Sequence, residues 1–356
     1  MAMQAVQLKK TGRNVIAIFP SQGLTEDFER MEESGITVYP YPIKQKNILK
    51  TIFFIRRIIK KHNADIIHSH HYFADFLVFL ARLGLKKKSH IITVHSYVSK
   101  IDAAFFRKIQ IGLCVYFAYN FAYKVLPVNE DLRRNLNEKY RVPFKKMTTV
   151  INGIDFKKYV IIPAAQKRIT EEYSINPNSI IILSAGLICK GKGHSFLINA
   201  LKDLHFGHSI KCFIIGKDGG ELSKLRQIAK ILNLNDTVFF PGYTADIASW
   251  LSLGKYYVHP SLNEATPLAI LEAMYFRIPV IASDIPPLRA IISHMKTGLL
   301  VEPENPQAIR EALITLQNNS KLAGEITENA FKFVSENASI EKMTEKILLS
   351  FPPIDS

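Results

Sequence analysis

The sequence predicts an α/β protein made of two domains, each a doubly wound parallel sheet. Three observations carry this expectation. At roughly 100–200 residues per domain, a chain of 356 residues has room for two cores. Short β-branched runs alternate with amphipathic stretches along the whole length, the rhythm of strand–helix–strand units. Those runs are continuously apolar rather than alternating, as strands buried on both faces are. The balance of 47 % hydrophobic and 22 % charged residues excludes disordered and collagen-like classes. Cys114, Cys189 and Cys212 are too scattered for a disulfide framework or a Cys-rich zinc module, so a reducing cytosol is the expected setting.

In the first half, strands are expected at Val15–Phe19, Ile36–Tyr39, Asp65–His68, Ile91–Val94, Lys124–Val128 and Thr148–Ile151. Ile48, Ile52, Ile55 and Ile59 mark a helical period between two of them. The most apolar stretch, Ile109–Tyr123, has 15 residues and includes Gln110 and Asn120. A membrane span needs about 20 apolar residues, so this stretch reads as a buried helix. Phe156–Asn178, with Pro163 and Pro177, reads as a linker. In the second half, strands are expected at Ile180–Ala185, Lys211–Ile215, Thr237–Phe240, Tyr256–His259, Pro279–Ala282 and Gly298–Val301. Leu222, Leu225, Ile228, Ala229 and Leu232 mark a helix among them. The expected division is a first domain over 1–160, a second over 161–340, and a closing helix and tail over 341–356 that can cross back to the first. Met1–Lys10 lacks the long apolar core of a secretory signal.

Ligands of such sheets bind beyond the carboxyl ends of the strands. There the first half places His68-Ser69-His70 and Thr93-Val94-His95-Ser96, and the second half Gly186, Gly216, Gly242, Pro260-Ser261 and Ser283-Asp284. A glycine at a strand end serves either a tight turn or a close backbone approach to a ligand. The sharpest segment runs from Pro260 to Met274. Thr266 suits an N-cap and Pro267 a first helical residue, so a helix is expected to open there, with free N–H groups that attract an anion. Glu264 precedes that end and Glu272 follows within the helix. Two carboxylates flanking an anion pocket suit hydroxyls on either side of a phosphate, one set on a sugar and one on a ribose. Two solvated glutamates around a capped helix give the same spacing.

This segment and Tyr275–Asp284 after it resemble the donor-binding signature of retaining GT-B glycosyltransferases of the glycosyltransferase-four type. Asn152-Gly153-Ile154-Asp155 is similar to the family's hinge motif, Lys192-Gly193 to its Lys-Gly pair, and Ile215-Gly216 to its next strand-end loop. Gly298–Val301 is similar to its last strand. Asp65–His70, Thr93–Ser96 and Val128-Asn129-Glu130 resemble its first half. The resemblance implies a GT-B fold, two Rossmann-like domains facing a cleft. It implies that Glu264 meets the transferred sugar, Glu272 the ribose, and Lys192 the diphosphate, with the backbone of Thr266, Pro267 and Leu268 assisting. Gly242 and Tyr243 would border the base, Gly186 the phosphates, and His95 the reacting carbon. His68 and His70 fall on the acceptor side. The family scheme uses a nucleotide-sugar co-substrate and needs no metal or other cofactor. Consistently, the sequence has no Asp-x-Asp pair and no His/Cys cluster with ligand spacing.

The chain departs from the pattern in places. Leu187 stands where the family usually has an Arg, which leaves Lys190 as a substitute without the guanidinium fork. Ala290 and Lys255 stand where acidic residues are usual. Members open with a strand and a glycine-rich loop, whereas this sequence starts inside what resembles the following helix, Gln4–Leu8. The expected consequence is a first sheet whose neighbouring strands lose pairing.

The formal net charge of +15 favours an anionic partner: nucleic acid, an acidic lipid surface or a phosphorylated substrate. Lys44, Lys46, Lys50, Arg56, Arg57, Lys60 and Lys61 form a run without an acid, interleaved with Ile48, Ile52, Phe53, Ile55 and Ile59. That run reads either as a solvated helix face or as peripheral contact with an anionic membrane, and Lys86-Lys87-Lys88 adds charge nearby. No nucleic-acid-binding motif accompanies it. The expected function is a cytoplasmic, metal-independent transferase that moves a hexosyl group with retention from a nucleotide sugar to a cell-envelope glycan or lipid-linked acceptor. A catalytically impaired GT-B scaffold and a GT-B nucleotide-sugar epimerase are the alternatives.

Overall fold

A computed structural model describes residues 2–20, 26–41, 47–85, 88–97, 105–264 and 267–353. The chain forms two compact units, Met1–Gly153 with Ile340–Ser356, and Ile154–Ser339. The sequence had placed the first boundary at 160/161.

Unit 1 runs α1 (Ala2–Lys10), β1 (Ile16–Pro20), α2 (Glu26–Glu33), β2 (Thr37–Tyr41), α3 (Ile48–Lys61), β3 (Ile66–His70), α4 (Tyr72–Arg82), β4 (Ser89–Val94), α5 (Phe105–Asn120), β5 (Lys124–Pro127) and α6 (Glu130–Tyr140). All strand pairs are parallel. They form two sheets, β1–β2 and β3–β4–β5. Among the described residues β1 and β3 therefore each keep one edge without a ladder partner. Burial follows pairing: residues 90–94 of β4 are buried, whereas only Ser69 of β3 is.

Thr148–Ile151 is not a strand. Its backbone lies against β5, with the Thr148 N–H donating to Val125 O at 3.1 Å and the Val150 N–H to Pro127 O at 2.9 Å. Pro127 has no N–H to return a bond, so the ladder stays one-sided. Ile109–Tyr123 departs from expectation too. Ile111, Val115, Ala118 and Tyr119 are buried, but Ile109, Leu113, Tyr116 and Phe117 on the other side of the helix are exposed.

Unit 2 runs α7 (Pro163–Glu172), β6 (Ile180–Ala185), α8 (His194–Leu201), β7 (Ile210–Ile215), α9 (Leu222–Ile231), β8 (Val238–Gly242), α10 (Ile247–Leu251), β9 (Tyr256–His259), α11 (Leu268–Tyr275), β10 (Val280–Ser283), α12 (Pro286–Arg289), β11 (Leu299–Val301), α13 (Pro306–Asn318) and α14 (Ser320–Asn337). Its sheet is parallel throughout, in the order β11–β10–β9–β6–β7–β8. Ile182, Ile214, Val258 and Ile281 lie on successive or neighbouring strands and are fully buried, each stabilising by about 1.5–3 kcal/mol. The order reverses between β6 and β9, which opens a crevice at their carboxyl ends.

The expected linker is instead a helix of this unit. Pro163 starts α7, where its missing N–H costs nothing. The helix is tied down by the Gln166 side chain donating to Ser252 Oγ at 2.7 Å and by Tyr173 packed edge-on against Phe213, Phe239 and Trp250. The closing helix α15 (Ile340–Leu349) belongs to unit 1, where Ile340, Met343 and Ile347 share a buried cluster with Ile91, Leu126 and Val150.

Candidate active site

In unit 2 the site grows from glycines that let three strand ends converge. Gly216, at φ +158°, donates its N–H to Gly242 O at 2.9 Å, and a Cβ on it would lie 1.8 Å from Gly186 O. Gly193, at φ +65°, passes so close to the end of β9 that a Cβ would lie 2.0 Å from Pro260 O. No side chain fits either place. The second approach brings Lys192, in the turn after β6, beside the loop that follows β9.

There Lys192 Nζ pairs with Glu264 Oε1, and His259 Nε2 meets the same oxygen at 2.7 Å. Burial would raise the Glu264 pKa, but the His259 hydrogen bond and the Lys192 charge outweigh it and hold the carboxyl down to about 2. Burial lowers the His259 pKa. The imidazole is thus neutral and donates its Nε2–H to the carboxylate. A fixed negative charge, a fixed ammonium and a neutral ring meet at one carboxylate, brought from two loops 72 residues apart in the chain.

Glu272 lies further along. Burial raises its pKa, and the Tyr159 OH, donating to its Oε1 at 2.6 Å, opposes the rise. Phe156 stacks on Tyr275 at 4.2 Å, which fixes the short Phe156–Lys158 turn on α11 and aims Tyr159 at the carboxylate. Glu272, Tyr159, Gly186, Leu187, Tyr243 and Leu268 line a cavity of about 590 Å³. Lys217 borders it too, its ammonium 4.7 Å from the centre of the Tyr243 ring.

The helix end differs by one residue from expectation. Pro267 holds the cap position in extended backbone, and Leu268 is the first helical residue. Thr266, the expected cap, lies outside the described residues. Leu268 and Ala269 line the cavity, so the N–H groups that a helix leaves unpaired at its start open there. Gly242 does not line the cavity; its carbonyl accepts the N–H of Gly216, which does. Lys190 does not line this cavity, and neither do Lys192 and Glu264. Lys190 borders a separate one of about 320 Å³ with His194, Glu221 and Glu304, because a 3-10 turn sends residues two apart to different sides.

In unit 1 the structure gathers the three expected histidines. His68 Nε2 lies 2.7 Å from Thr93 Oγ1, and His70 Nδ1 lies 3.0 Å from His95 Nε2. The rings stack in sequence, with centroids 4.5 Å and 5.2 Å apart. Burial lowers their pKa values, to about 3 for His68 and about 4 for His95, so all three rings are neutral at pH 7. Beneath them sits a buried network that the sequence reading passed over. Ser69 Oγ donates to Asp75 Oδ1 at 2.7 Å and meets His90 Nε2 at 2.7 Å, while the Tyr119 OH donates to Asp75 Oδ2 at 3.2 Å. Burial pushes the Asp75 carboxyl up to about 8 against these donors.

Tyr159 and His259 were also missed. His259 carried a faint signal as a polar strand end before Pro260. Tyr159 carried none, sitting in what reads as a linker.

Residues 2–158 match the model of Glycosyltransferase Family 4, and residues 165–333 match that of Glycosyl transferases group 1. The chain is a group 1 glycosyltransferase of GT-B fold. An uncharacterised glycosyltransferase of Haemophilus influenzae is 28 % identical over 184 residues, 48 % of this chain and 52 % of that protein. The UDP-Gal:alpha-D-GlcNAc-diphosphoundecaprenol alpha-1,3-galactosyltransferase of Escherichia coli is 25 % identical over 305 residues, 84 % of this chain and 78 % of the relative. The crystal structure of Anabaena HepE in complex with UDP superposes with a TM-score of 0.84 at 18 % identity, covering 98 % of this chain and 94 % of that one. In this group 1 chain no described helix is long and apolar enough to cross a membrane.

Proposed function

We propose that the chain moves a hexosyl group with retention from a nucleotide-sugar donor to a cell-envelope glycan or lipid-linked acceptor, at the cytoplasmic membrane surface and without a metal. The observation that carries this is the Lys192–Glu264–His259 cluster, whose lysine runs beside Gly186, its Cε 3.6 Å from where a Cβ on Gly186 would stand, while Gly186 lines the cavity shared by Glu272 and the first residues of α11. As the sugar–phosphate bond breaks, negative charge grows on the departing diphosphate while the sugar becomes oxocarbenium-like. An ammonium and unpaired N–H groups already aimed at that charge stabilise the transition state more than the ground state. Glu264, ionised, stabilises the positive sugar. Glu272 holds the ribose hydroxyls through the oxygen that Tyr159 leaves available, and Tyr243 borders the base. The leaving phosphate takes the acceptor's proton on the same face, and His95 keeps the role at the reacting carbon that the family resemblance gives it. His68 and His70 contribute to the acceptor side, and the α3 cations meet anionic lipid. The UDP held by Anabaena HepE and the lipid-diphosphate substrate named for the E. coli relative support this reading.

Incubation with a panel of UDP- and GDP-sugars tests it, with sugar release or transfer as the readout. Nucleotide binding without any turnover would favour the scaffold reading instead, which rests on Leu187 lining the cavity where relatives in the family usually carry an Arg.

A further inference from the structure

Helix α5 is apolar on both sides. Ile111, Val115, Ala118 and Tyr119 pack into the unit 1 core. On the opposite side Ile109, Leu113, Tyr116 and Phe117, with Phe121 just past the helix end, are 41–59 % exposed in the whole chain. Their spacing puts them on one continuous stripe, and Phe117 and Phe121 stack at 6.4 Å. Water alone does not reward such a face, since a helix apolar all round belongs in a core or against lipid.

The surrounding charge chooses the occupant. Residues 76–129 contain eight Lys and Arg against the single acid Asp102. Cations also crowd the end of the stripe. Arg82 donates to Phe121 O at 2.8 Å, Lys146 to Asn120 O at 2.6 Å, and Lys124 to Lys145 O at 3.2 Å. A two-fold contact between copies would press these cations against their own counterparts, which costs free energy. An anionic headgroup layer receives both features at once: apolar rings below the phosphates, ammonium and guanidinium groups among them, and the amphipathic Tyr116 at the boundary.

We propose that the outer face of α5 inserts into the headgroup region of an anionic bilayer and seats unit 1 there. This deepens the lipid-linked-acceptor reading by naming the surface that meets the lipid, and it adds an inserting stripe to the charged face of α3.

The test is co-sedimentation of the full chain with phosphatidylcholine vesicles, with and without about one third phosphatidylglycerol. Wild-type protein is expected to bind the anionic vesicles alone, and Leu113→Ser with Phe117→Ser to lower the partition coefficient about tenfold or more. Phe117→Trp gives a readout that does not depend on the double variant folding. Its emission is expected to be quenched by lipid brominated in the acyl chain, whereas Trp250, 8 % exposed, is not. Unchanged binding of the serine variant, or no quenching at position 117, overturns the proposal. So does a wild-type dimer that the serine variant dissociates. If Lys60→Glu with Lys61→Glu abolishes binding while the serine variant keeps it, α3 alone meets the membrane and the α5 assignment fails. Sugar transfer to a soluble acceptor reports separately on the transferase reading, so the two can fail independently.

Discussion

Lys192 and Asp75 are both charged-type residues held out of bulk water, yet they do opposite things. Lys192 is paired with Glu264. On the proposed function, replacing Lys192 with Ala takes an ammonium away from the departing diphosphate and is expected to lower kcat about 10²–10³-fold, with a smaller change in KM. Steady-state kinetics on a responsive donor checks this, and an unchanged kcat contradicts it. Among the described residues no cation pairs with Asp75, so burial keeps it protonated up to a pKa of about 8 against an ordinary 3.8. The folded state therefore holds a proton that the unfolded chain releases above pH 3.8. Its stabilising contribution is complete below that pH, declines as pH rises, and is lost by about pH 8. The slope is at most about 1.4 kcal/mol per pH unit. Asp75→Asn is expected to flatten the pH dependence of the denaturation midpoint between pH 5 and pH 8, and an identical slope in the variant would remove the assignment. These residues show where sequence reading stops. Glu264, Glu272 and Lys192 stand in a recognisable local motif. Tyr159 acquires its meaning only through Glu272, 113 residues further on, and Asp75 through Tyr119 and Ser69.

Elements built from continuous apolar runs were legible because a strand buried on both faces has no other composition. Ile180–Ala185 appears with the expected bounds. Legibility failed where one residue changed the local rule. Pro127 withheld an N–H and unmade a strand at Thr148–Ile151. Pro163 opened a helix where a linker had been expected. Apolar content alone did not say which side of α5 would be covered. The turns at the crevice obey a stricter rule, since Gly193 and Gly216 each face a carbonyl at a distance no Cβ tolerates. Gly193→Ala is expected to destabilise unit 2 by about 1–3 kcal/mol and to displace Lys192. Gly324→Ala is the control. It lies in α14 with nothing within 4 Å of the added Cβ, and is expected to stabilise by about 0.5–1 kcal/mol. Chemical denaturation of both variants decides the point, and a neutral Gly193→Ala would show that the approach of the strand ends is looser than described.

The whole molecule is two units threaded by one chain that ends in the unit where it began. Ile340, Met343 and Ile347 cover Ile91, Leu126 and Val150, so removing 340–356 is expected to lower the melting transition of unit 1 and leave that of unit 2 in place. Calorimetry checks this, and a truncation that moves neither transition contradicts the assignment of α15. At this scale the two-domain α/β architecture was readable from rhythm and length, and the closing helix, expected to be able to cross back from residue 341, joins unit 1 from Ile340, while the first division falls at 153/154 instead of 160/161. The account rests on the crevice of unit 2 as the nucleotide site. A crystal structure of the full chain soaked with UDP or GDP tests it most directly. The account expects the ribose hydroxyls on Glu272 and the diphosphate between Lys192 and the first N–H groups of α11. A nucleotide seated away from both glutamates would contradict it.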